Sequence, residues 1–246
     1  MLIKVDRIEK NVKAKQIICN ISTEIHRGDA IGIVGPNGAG KTTFLKLIAS
    51  VIKPDSGSIY FRGESYQQQV KALRATLGYV PQDIALFEDL TVKEQLQFWR
   101  KAAPRTSSKQ FVQQVIHLLG LEEVFHKKVK QLSGGWQRKT SLCAGLIHDP
   151  DIILLDEPTA GVDLAAKDDL IRLLQSLNKQ GKTVILISHE WDVIDRLCKR
   201  IFILKEGRLL FDKGIHGLPA FAQTLNEDNG ELRKILRQHV LQEKSR

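Results

Sequence analysis

The chain has 246 residues, 42% hydrophobic and 26% charged, which is an ordinary globular composition with enough apolar residues for a sizeable core. Its 37 basic and 28 acidic residues leave a formal charge of +9, which favours an anionic partner such as nucleic acid or the inner face of a membrane. The apolar runs are only as long as strands and the N-terminus does not resemble a signal peptide, so we expect a cytosolic protein without membrane spans. The three cysteines show no C-x-x-C spacing, so we expect neither structural disulfides nor a zinc site.

The first part of the chain predicts strands. Residues 2–8 and 16–25 form short alternating or apolar runs, which are typical of a β-rich edge. The continuous apolar run at 30–34 predicts a buried strand, and residues 44–49 predict the start of a helix. The segment between this strand and this helix is therefore a loop.

This loop is rich in glycine, and the order strand, glycine loop, helix is the context of a phosphate-binding loop. Glycines let the backbone N–H groups point inward, and the helix that begins near Lys41 adds the positive end of its dipole. Lys41 can reach terminal phosphates, and the Thr42 hydroxyl can ligate a magnesium ion. A chance match to the motif is the alternative. The candidate nucleotide-binding residues are Gly35, Pro36, Asn37, Gly38, Ala39, Gly40, Lys41, Thr42 and Thr43.

Beyond the loop, the sequence changes from strand signals to helix signals. Residues 53–57 predict a turn, 58–61 a strand, and 76–80 a strand that Pro81 stops, with Gln82 immediately beyond. Thr91 and Glu94 form a capping box, and a second helix begins at Ser108. We therefore predict an α/β phosphate-loop ATPase core with a mixed or parallel sheet and an antiparallel β edge, formed by 1–87 and 149–246, and an inserted helical subdomain at 88–148.

The inserted segment contains a second anion-binding signal. Ser133, Gly134 and Gly135 precede an apolar helix that runs through Leu142 and Leu146, so they present bare N–H groups at a positive helix end. The loop at Gly35 already accounts for one phosphate site. A second site suggests contact with a nucleotide that is bound to another copy of the chain.

The α/β pattern resumes after residue 150. Residues 151–157 predict a strand buried on both faces, Asp163 can cap a helix, and 183–188 predict a strand followed by His189. A helix to about residue 198 and a hairpin at 200–204 and 208–211 follow. Residues 230–246 predict a charged helix or tail, for which we favour a solvated face over a binding role.

Three predicted strands end at chemically suitable residues, namely the phosphate loop, Asp156 with Glu157, and His189. Ligands bind at the carboxyl ends of strands in an open parallel sheet. Because successive strand residues point to opposite sides, Asp156 is expected to reach magnesium, usually through water, while Glu157 orients or deprotonates the attacking water. Each residue alone has a plainer interpretation: an acidic strand end, a structural histidine at 189 and an ordinary turn residue at Gln82.

The order of these motifs resembles the ATP-binding cassette (ABC) family over nearly the whole chain. The motifs are the phosphate loop, 80–82, Leu-Ser-Gly-Gly at 132–135, the strand ending at Asp156 and Glu157, 160–163 and 188–189. The Leu-Ser-Gly-Gly element is the most diagnostic, since ordinary phosphate-loop ATPases lack it.

The resemblance implies specific roles. Gln82 senses magnesium and contacts a transmembrane permease, Glu157 is the catalytic carboxylate, and His189 and Asp163 complete a site for ATP and Mg²⁺. It also implies that two cassettes pack head to tail, as a homodimer or heterodimer, so that each ATP becomes part of the interface.

Two positions depart from the family pattern. The Leu-Ser-Gly-Gly element at 132–135 is the signature of the family, and Trp136 follows its two glycines at a position where Gln is usual. Val12 occupies a place where an aromatic residue often stacks on adenine. We predict that Trp136 packs at the dimer interface, with packing inside its own helical subdomain as the alternative. Val12 suggests weak discrimination between bases.

The favoured hypothesis is an ATP-hydrolysing subunit of a transporter with a separate permease, peripheral to the cytoplasmic side of the membrane, and most similar to bacterial export-type cassettes. One alternative is a soluble ABC ATPase of cluster assembly, translation or DNA repair. The other is a binding module without catalysis, which is disfavoured because Lys41, Glu157 and His189 are all present.

Overall fold

The computed structural model describes residues 1–225 and 230–243 and divides the chain into two compact units. One unit contains residues 1–69 and 187–246, and the other contains 70–186. The three cysteines are free thiols. Within the described ranges, none of the helices has both the length and the apolarity that crossing a bilayer requires.

The strands and helices alternate along most of the chain. In chain order the elements are β1 (Ile3–Val12), β2 (Lys15–Ile25), β3 (Ala30–Val34), α1 (Lys41–Ile48), β4 (Ser56–Phe61), β5 (Glu64–Ser65), α2 (Tyr66–Thr76), β6 (Leu77–Val80), α3 (Val92–Ala102), α4 (Lys109–Leu118), α5 (Gly134–Leu146), β7 (Ile152–Asp156), α6 (Leu164–Lys179), β8 (Thr183–Ile187), α7 (Trp191–Leu197), β9 (Arg200–Lys205), β10 (Arg208–Gly214), α8 (Leu218–Thr224) and α9 (Gly230–Glu243).

The first unit contains an antiparallel sheet in the order β2-β1-β4-β5 and a run of strands in the order β10-β9-β3. In this run β3 is parallel to β9, and β9 is antiparallel to β10. All five residues of β3 are buried, as expected for a strand covered on both faces. Helix α1 packs its apolar side inward, and the Phe44 ring lies 6.3 Å from the Phe202 ring. This packing fixes the loop that joins β3 to α1.

The second unit contains strands in the order β8-β7-β6, in which β6 and β7 are parallel. Helices α3, α4 and α5 lie in the segment between β6 and β7. The Thr91 capping box is present with both of its hydrogen bonds, and the Ser108 side chain accepts from the Phe111 N–H, so both predicted helix starts are confirmed. The buried five-residue strand β7 is confirmed as well.

Two helices, α2 and α8, were not predicted from the sequence, and one helix face was misjudged. Helix α2 was not predicted, because Tyr66–Thr76 has neither a capping signal nor a pronounced apolar stripe. The predicted charged helix at the C-terminal end is present as α9, but the solvated interpretation is wrong for one side, where Leu232 and Leu236 are each 1% exposed. Residues 226–229 and 244–246 lie outside the described part of the chain.

Candidate functional site

The predicted phosphate-binding loop follows β3 and leads directly into α1. Gly40 caps α1 with a left-handed backbone, φ 96°, and a Cβ atom at this position would lie 2.7 Å from the Ile17 carbonyl oxygen. A Cβ atom at Gly35 would overlap the Leu204 carbonyl group. These two glycines are therefore required by space as well as by backbone conformation.

Lys41 is the first residue of α1, and its side chain folds back over the loop. The residue is 7% exposed, and its Nζ donates to the carbonyl oxygens of Gly35 at 2.7 Å and Pro36 at 2.9 Å. Asn37 and Gly38 are exposed, whereas Thr42 and Thr43 are half-buried. The loop thus combines a positioned ammonium group with an open backbone, which suits a bound polyphosphate.

A cavity of about 370 Å³ lies beside the outer turn of this loop. Its lining includes Asn37, Gly38, Lys15 and the start of α9 at Glu231. Val12, at the end of β1, is 47% exposed. These residues leave the edge of the loop open to a ligand, and they offer polar and aliphatic groups rather than an aromatic ring.

His189 is exposed in the loop between β8 and α7. Its neighbour Ser188 is 2% exposed, and the Ser188 hydroxyl oxygen accepts from the Glu190 N–H at 3.0 Å, which closes a tight turn. Two residues further on, the Trp191 Nε1 donates to the Ile235 carbonyl oxygen of α9 at 2.8 Å. The segment that presents His189 is thus anchored on both sides.

In the second unit, the acidic pair lies where β7 ends. Asp156 is the last residue of the strand and is 1% exposed, whereas Glu157 is half-buried and has a left-handed backbone, φ 49°. Such a conformation is strained for a residue with a Cβ atom, so surrounding contacts must hold it. Burial and the Asp156 carboxylate raise the pKa of Tyr79 to about 12, and Asp83 adds to this shift.

Gln82 follows the neighbouring strand and is exposed. Strand β6 is parallel to β7, with Val80 opposite Leu155 in register. Gln82 and the acidic pair therefore follow the two strands at the same end of the sheet.

The signature residues form the start of α5. Ser133 is the N-cap residue, its side chain makes no capping hydrogen bond, and both Ser133 and Gly134 are exposed. A Cβ atom at Gly135 would lie 3.4 Å from the Asp163 Oδ2. Asp163 itself caps α6 by accepting from the Ala166 N–H at 2.9 Å. The structure thus brings the signature turn and Asp163 together.

Trp136 contacts its own unit. Its ring lies 4.8 Å below the Lys139 Nζ and close to Gly120, and Lys139 forms a 2.7 Å ion pair with Asp169. The side chain is half-buried. These contacts favour the alternative of packing within the helical subdomain, and a role at a dimer interface stays a prediction.

An exposed aromatic patch, formed by Phe87, Phe98 and Trp99, was not recognised as functional from the sequence. Phe87 is 48% and Phe98 is 43% exposed, and their ring centroids lie 5.0 Å apart. The Trp99 Nε1 and the Nε2 of the fully buried Gln95 have no hydrogen-bond partner within the described residues. Exposed aromatic rings in contact with one another are typical of an interface. The sequence signal that could have revealed the patch is the clustering of Phe87, Phe98 and Trp99 in and near α3.

The predicted metal ligands have suitable chemistry. Asp156 offers a carboxylate, Thr42 a hydroxyl and Gln82 an amide oxygen, which are the hard oxygen donors that Mg²⁺ prefers. In residues 1–225 and 230–243, no group of three or more His, Cys, Asp and Glu side chains could hold a metal ion.

Comparison with known proteins gives consistent matches. The family model described as "ABC transporter" matches residues 18–160. The chain is 34% identical over 211 residues to the linearmycin resistance ATP-binding protein LnrL of Bacillus subtilis, covering 85% of this chain and 68% of that protein. It is 36% identical over 204 residues to the Nod factor export ATP-binding protein I of Burkholderia pseudomallei, covering 82% and 67%.

Solved structures are similar over most of the chain. A dimeric ATP-binding cassette in a post-hydrolysis state with ADP and Pi has 27% identity and a TM-score of 0.76, covering 87% of this chain and 99% of that one. The cbiO1 protein of Clostridium perfringens, part of the ABC transporter complex cbiONQ, has 26% identity and a TM-score of 0.76, covering 97% and 98%.

Proposed function

The chain belongs to the ABC transporter family of ATP-binding proteins, and on this premise we propose that it hydrolyses ATP to power transport through a separate membrane permease. One observation carries the proposal. The same chain has a phosphate loop with Lys41 folded over it and a second exposed helix start at Ser133 and Gly134, prepared for another anion. In a pair of cassettes, the second feature would have a ligand in the nucleotide that the other copy holds.

Within this proposal each candidate residue has one task. Residues 35–43 hold the phosphates, and Thr42, Gln82 and Asp156 hold Mg²⁺, directly or through water. The ion, when bound, neutralises charge on the phosphates. Glu157 accepts a proton from the attacking water or orients it, while His189 contacts the γ-phosphate or that water.

We further propose that the active form contains two cassettes packed head to tail. Ser133, Gly134 and Gly135 of one copy then contact the ATP that is held by the phosphate loop of the other, and Asp163 lies beside them. A two-fold axis generates two such sites. Hydrolysis changes the charge between the copies and allows them to separate, which converts chemistry into movement.

The division of labour along the chain is also part of the proposal. Residues 1–87 and 149–246 form the nucleotide-binding α/β core, and 88–148 form the helical subdomain that carries the signature. The aromatic patch, with Phe98 and Trp99 on this subdomain and Phe87 immediately before it, is the proposed docking surface for the permease. Its exposed rings, Phe87 and Phe98, offer an apolar contact surface to such a partner.

The relatives support the direction of transport. Their names refer to export of Nod factor and to resistance against linearmycin, so we propose that this chain serves an exporter. The excess of basic residues suits a location at the inner face of the cell membrane, where the lipid surface is negative. The transported compound is chosen by the permease.

The ATP-binding step is tested by Lys41→Ala. Loss of an ammonium group that bonds to phosphate is expected to weaken ATP binding by about 10- to 100-fold, since a hydrogen bond to a charged group contributes about 1.5–3 kcal/mol. Equilibrium binding of ATP and Mg²⁺ measures the change. Lys46→Ala is the matched control, because Lys46 is a half-buried lysine of the same helix. Equal ATP affinity in Lys41→Ala and wild type would contradict the proposal.

The permease-docking step is tested by Phe98→Ser. This change removes an exposed ring of the aromatic patch, so membrane association and recovery with a multi-span protein after solubilisation are expected to decrease strongly, with little change in the free energy of unfolding. Leu210→Ser, at a site that is 39% exposed in the first unit, is the control. A wild-type chain that never associates with membranes would favour the soluble ABC ATPase instead.

A further inference from the structure

Arg138 is a buried arginine in the first turns of α5, and it is 3% exposed. Its Nη1 donates to the carbonyl oxygens of Pro81 at 3.1 Å and Gln82 at 2.7 Å. Both acceptors belong to the loop that follows β6. The signature helix is thereby joined to the segment that carries the predicted magnesium-sensing glutamine.

The remaining N–H groups of Arg138 reach the loop that follows β7. The Nη2 donates to the carbonyl oxygens of Asp156, at 2.9 Å, and Glu157, and the Nε donates to that of Pro158 at 3.1 Å. A guanidinium has five N–H donors in a rigid planar fork, and here all five meet main-chain carbonyl oxygens. The two loops are therefore held by one side chain.

The position demands arginine for geometric reasons. Lysine has three donors on one atom and cannot span two loops, although it keeps the charge. Burial lowers the pKa of Arg138, while the nearby carboxylates of Asp156, Glu157 and Asp83 oppose this shift. A buried cation of this kind is costly unless its hydrogen bonds are satisfied, which the five carbonyl groups achieve.

Resting on the proposed function, we propose that Arg138 is a positioning residue that fixes Gln82 and Glu157 to the signature helix, so that the three move as one body. Glu157 has a left-handed backbone, and surrounding contacts must hold such a conformation. Its carbonyl group is bonded to Arg138, so the arginine restrains the direction of the catalytic carboxylate. A displacement of the Gln82 loop is then passed to Glu157.

The chain offers a matched control in the same unit. Arg105 also donates to two main-chain carbonyl oxygens, those of His148 and Asp149, but these residues lie before β7 rather than after it. Arg105→Lys and Arg138→Lys make the same chemical change at opposite ends of one strand. The Arg105 side chain is 35% exposed and Arg138 only 3%, so the free energy of unfolding of both variants is measured as well. A positioning role lowers the kcat of folded Arg138→Lys, whereas a general loss of packing lowers its stability alone.

The test compares ATP affinity, kcat and amide hydrogen exchange in Arg138→Lys, Arg105→Lys and wild type. For Arg138→Lys we expect unchanged ATP affinity and a kcat lower by about 10²-fold, the cost of misplacing a catalytic group by about 1 Å. Exchange should rise together in peptides covering 81–84 and 156–160. Arg105→Lys should keep the wild-type kcat.

The inference is overturned by an unchanged kcat in Arg138→Lys, by an equal loss of ATP affinity and kcat, or by faster exchange in only one loop. A wild-type chain without ATP turnover overturns the proposed function instead. In that case the inference about Arg138 is judged by hydrogen exchange alone, which must rise in both loops of Arg138→Lys. If Arg138→Lys does not fold, exchange of the wild type with and without ATP and Mg²⁺ is decisive. The two loops must then change together, and independent changes overturn the inference.

Discussion

Exchanging Glu157 for glutamine is expected to lower the kcat for ATP hydrolysis by about 10²- to 10⁴-fold, the usual contribution of a positioned general base. The substitution keeps the size and hydrogen-bonding capacity of the side chain but removes its ability to accept a proton. ATP affinity should therefore be retained, and an ATP-bound dimer should accumulate, because the reaction that separates the copies is blocked. Single-turnover kinetics and sedimentation with ATP and Mg²⁺ measure both effects.

Glu206→Gln is the control for this experiment. Glu206 has nearly the same left-handed backbone, φ 50° against 49° for Glu157, so any effect of the substitution on backbone strain is shared. Its side chain is 82% exposed in the turn between β9 and β10, where no proton transfer is expected. Glu206 also lines the cavity beside the phosphate loop, so this control is read on kcat and not on ATP affinity. A Glu157→Gln variant that turns over ATP at the wild-type rate would show that another group activates the water.

Gly134→Asp is expected to abolish ATP-driven dimerisation while the monomer stays folded. The nearest atom to a Cβ at this position, the Gly161 carbonyl oxygen, is 3.9 Å away, so the side chain has room, and a carboxylate near the start of α5 is favourable for the helix by about 0.3–1 kcal/mol. In the proposed dimer this carboxylate meets the triphosphate of the other copy. Juxtaposed like charges cost several kcal/mol, so association should weaken by more than about 10²-fold.

This experiment is read in a Glu157→Gln background, where wild-type dimers persist long enough for sedimentation analysis. Gly214→Asp provides the control, since Gly214 is likewise exposed, precedes a short helix and has an ordinary φ of −56°. Undiminished dimerisation of Gly134→Asp would place the second contact with ATP elsewhere than at the signature turn.

Local sequence patterns predicted most of the site's framework. The phosphate loop was predictable because its glycines, lysine and threonine are consecutive, and its strand and helix are bounded by clear apolar runs. The Thr91 capping box and the Asp163 cap were predictable for the same reason, since each involves residues three positions apart. Such signals depend on neighbours in sequence.

Contacts between distant residues were not predictable. Arg138 bonds to carbonyl groups as far away as Pro81, and every residue, proline and glycine included, could supply the same carbonyl group, so no side-chain pattern marks the partners. The buried side of α9 was missed because charged residues dominate its composition. Its buried face is marked by only two leucines, Leu232 and Leu236, which lie about one helical turn apart.

The three tryptophans lie in three different regions of the chain: Trp99 in the aromatic patch, Trp136 on the signature helix and Trp191 just after His189. Their surroundings differ as well, since Trp136 lies beneath an ammonium group and the Trp191 indole donates to a carbonyl oxygen. Each of these regions therefore contains one intrinsic fluorophore, an indole ring. Emission from variants that keep a single indole would report on permease docking, cassette closure and the histidine segment separately, without any attached dye.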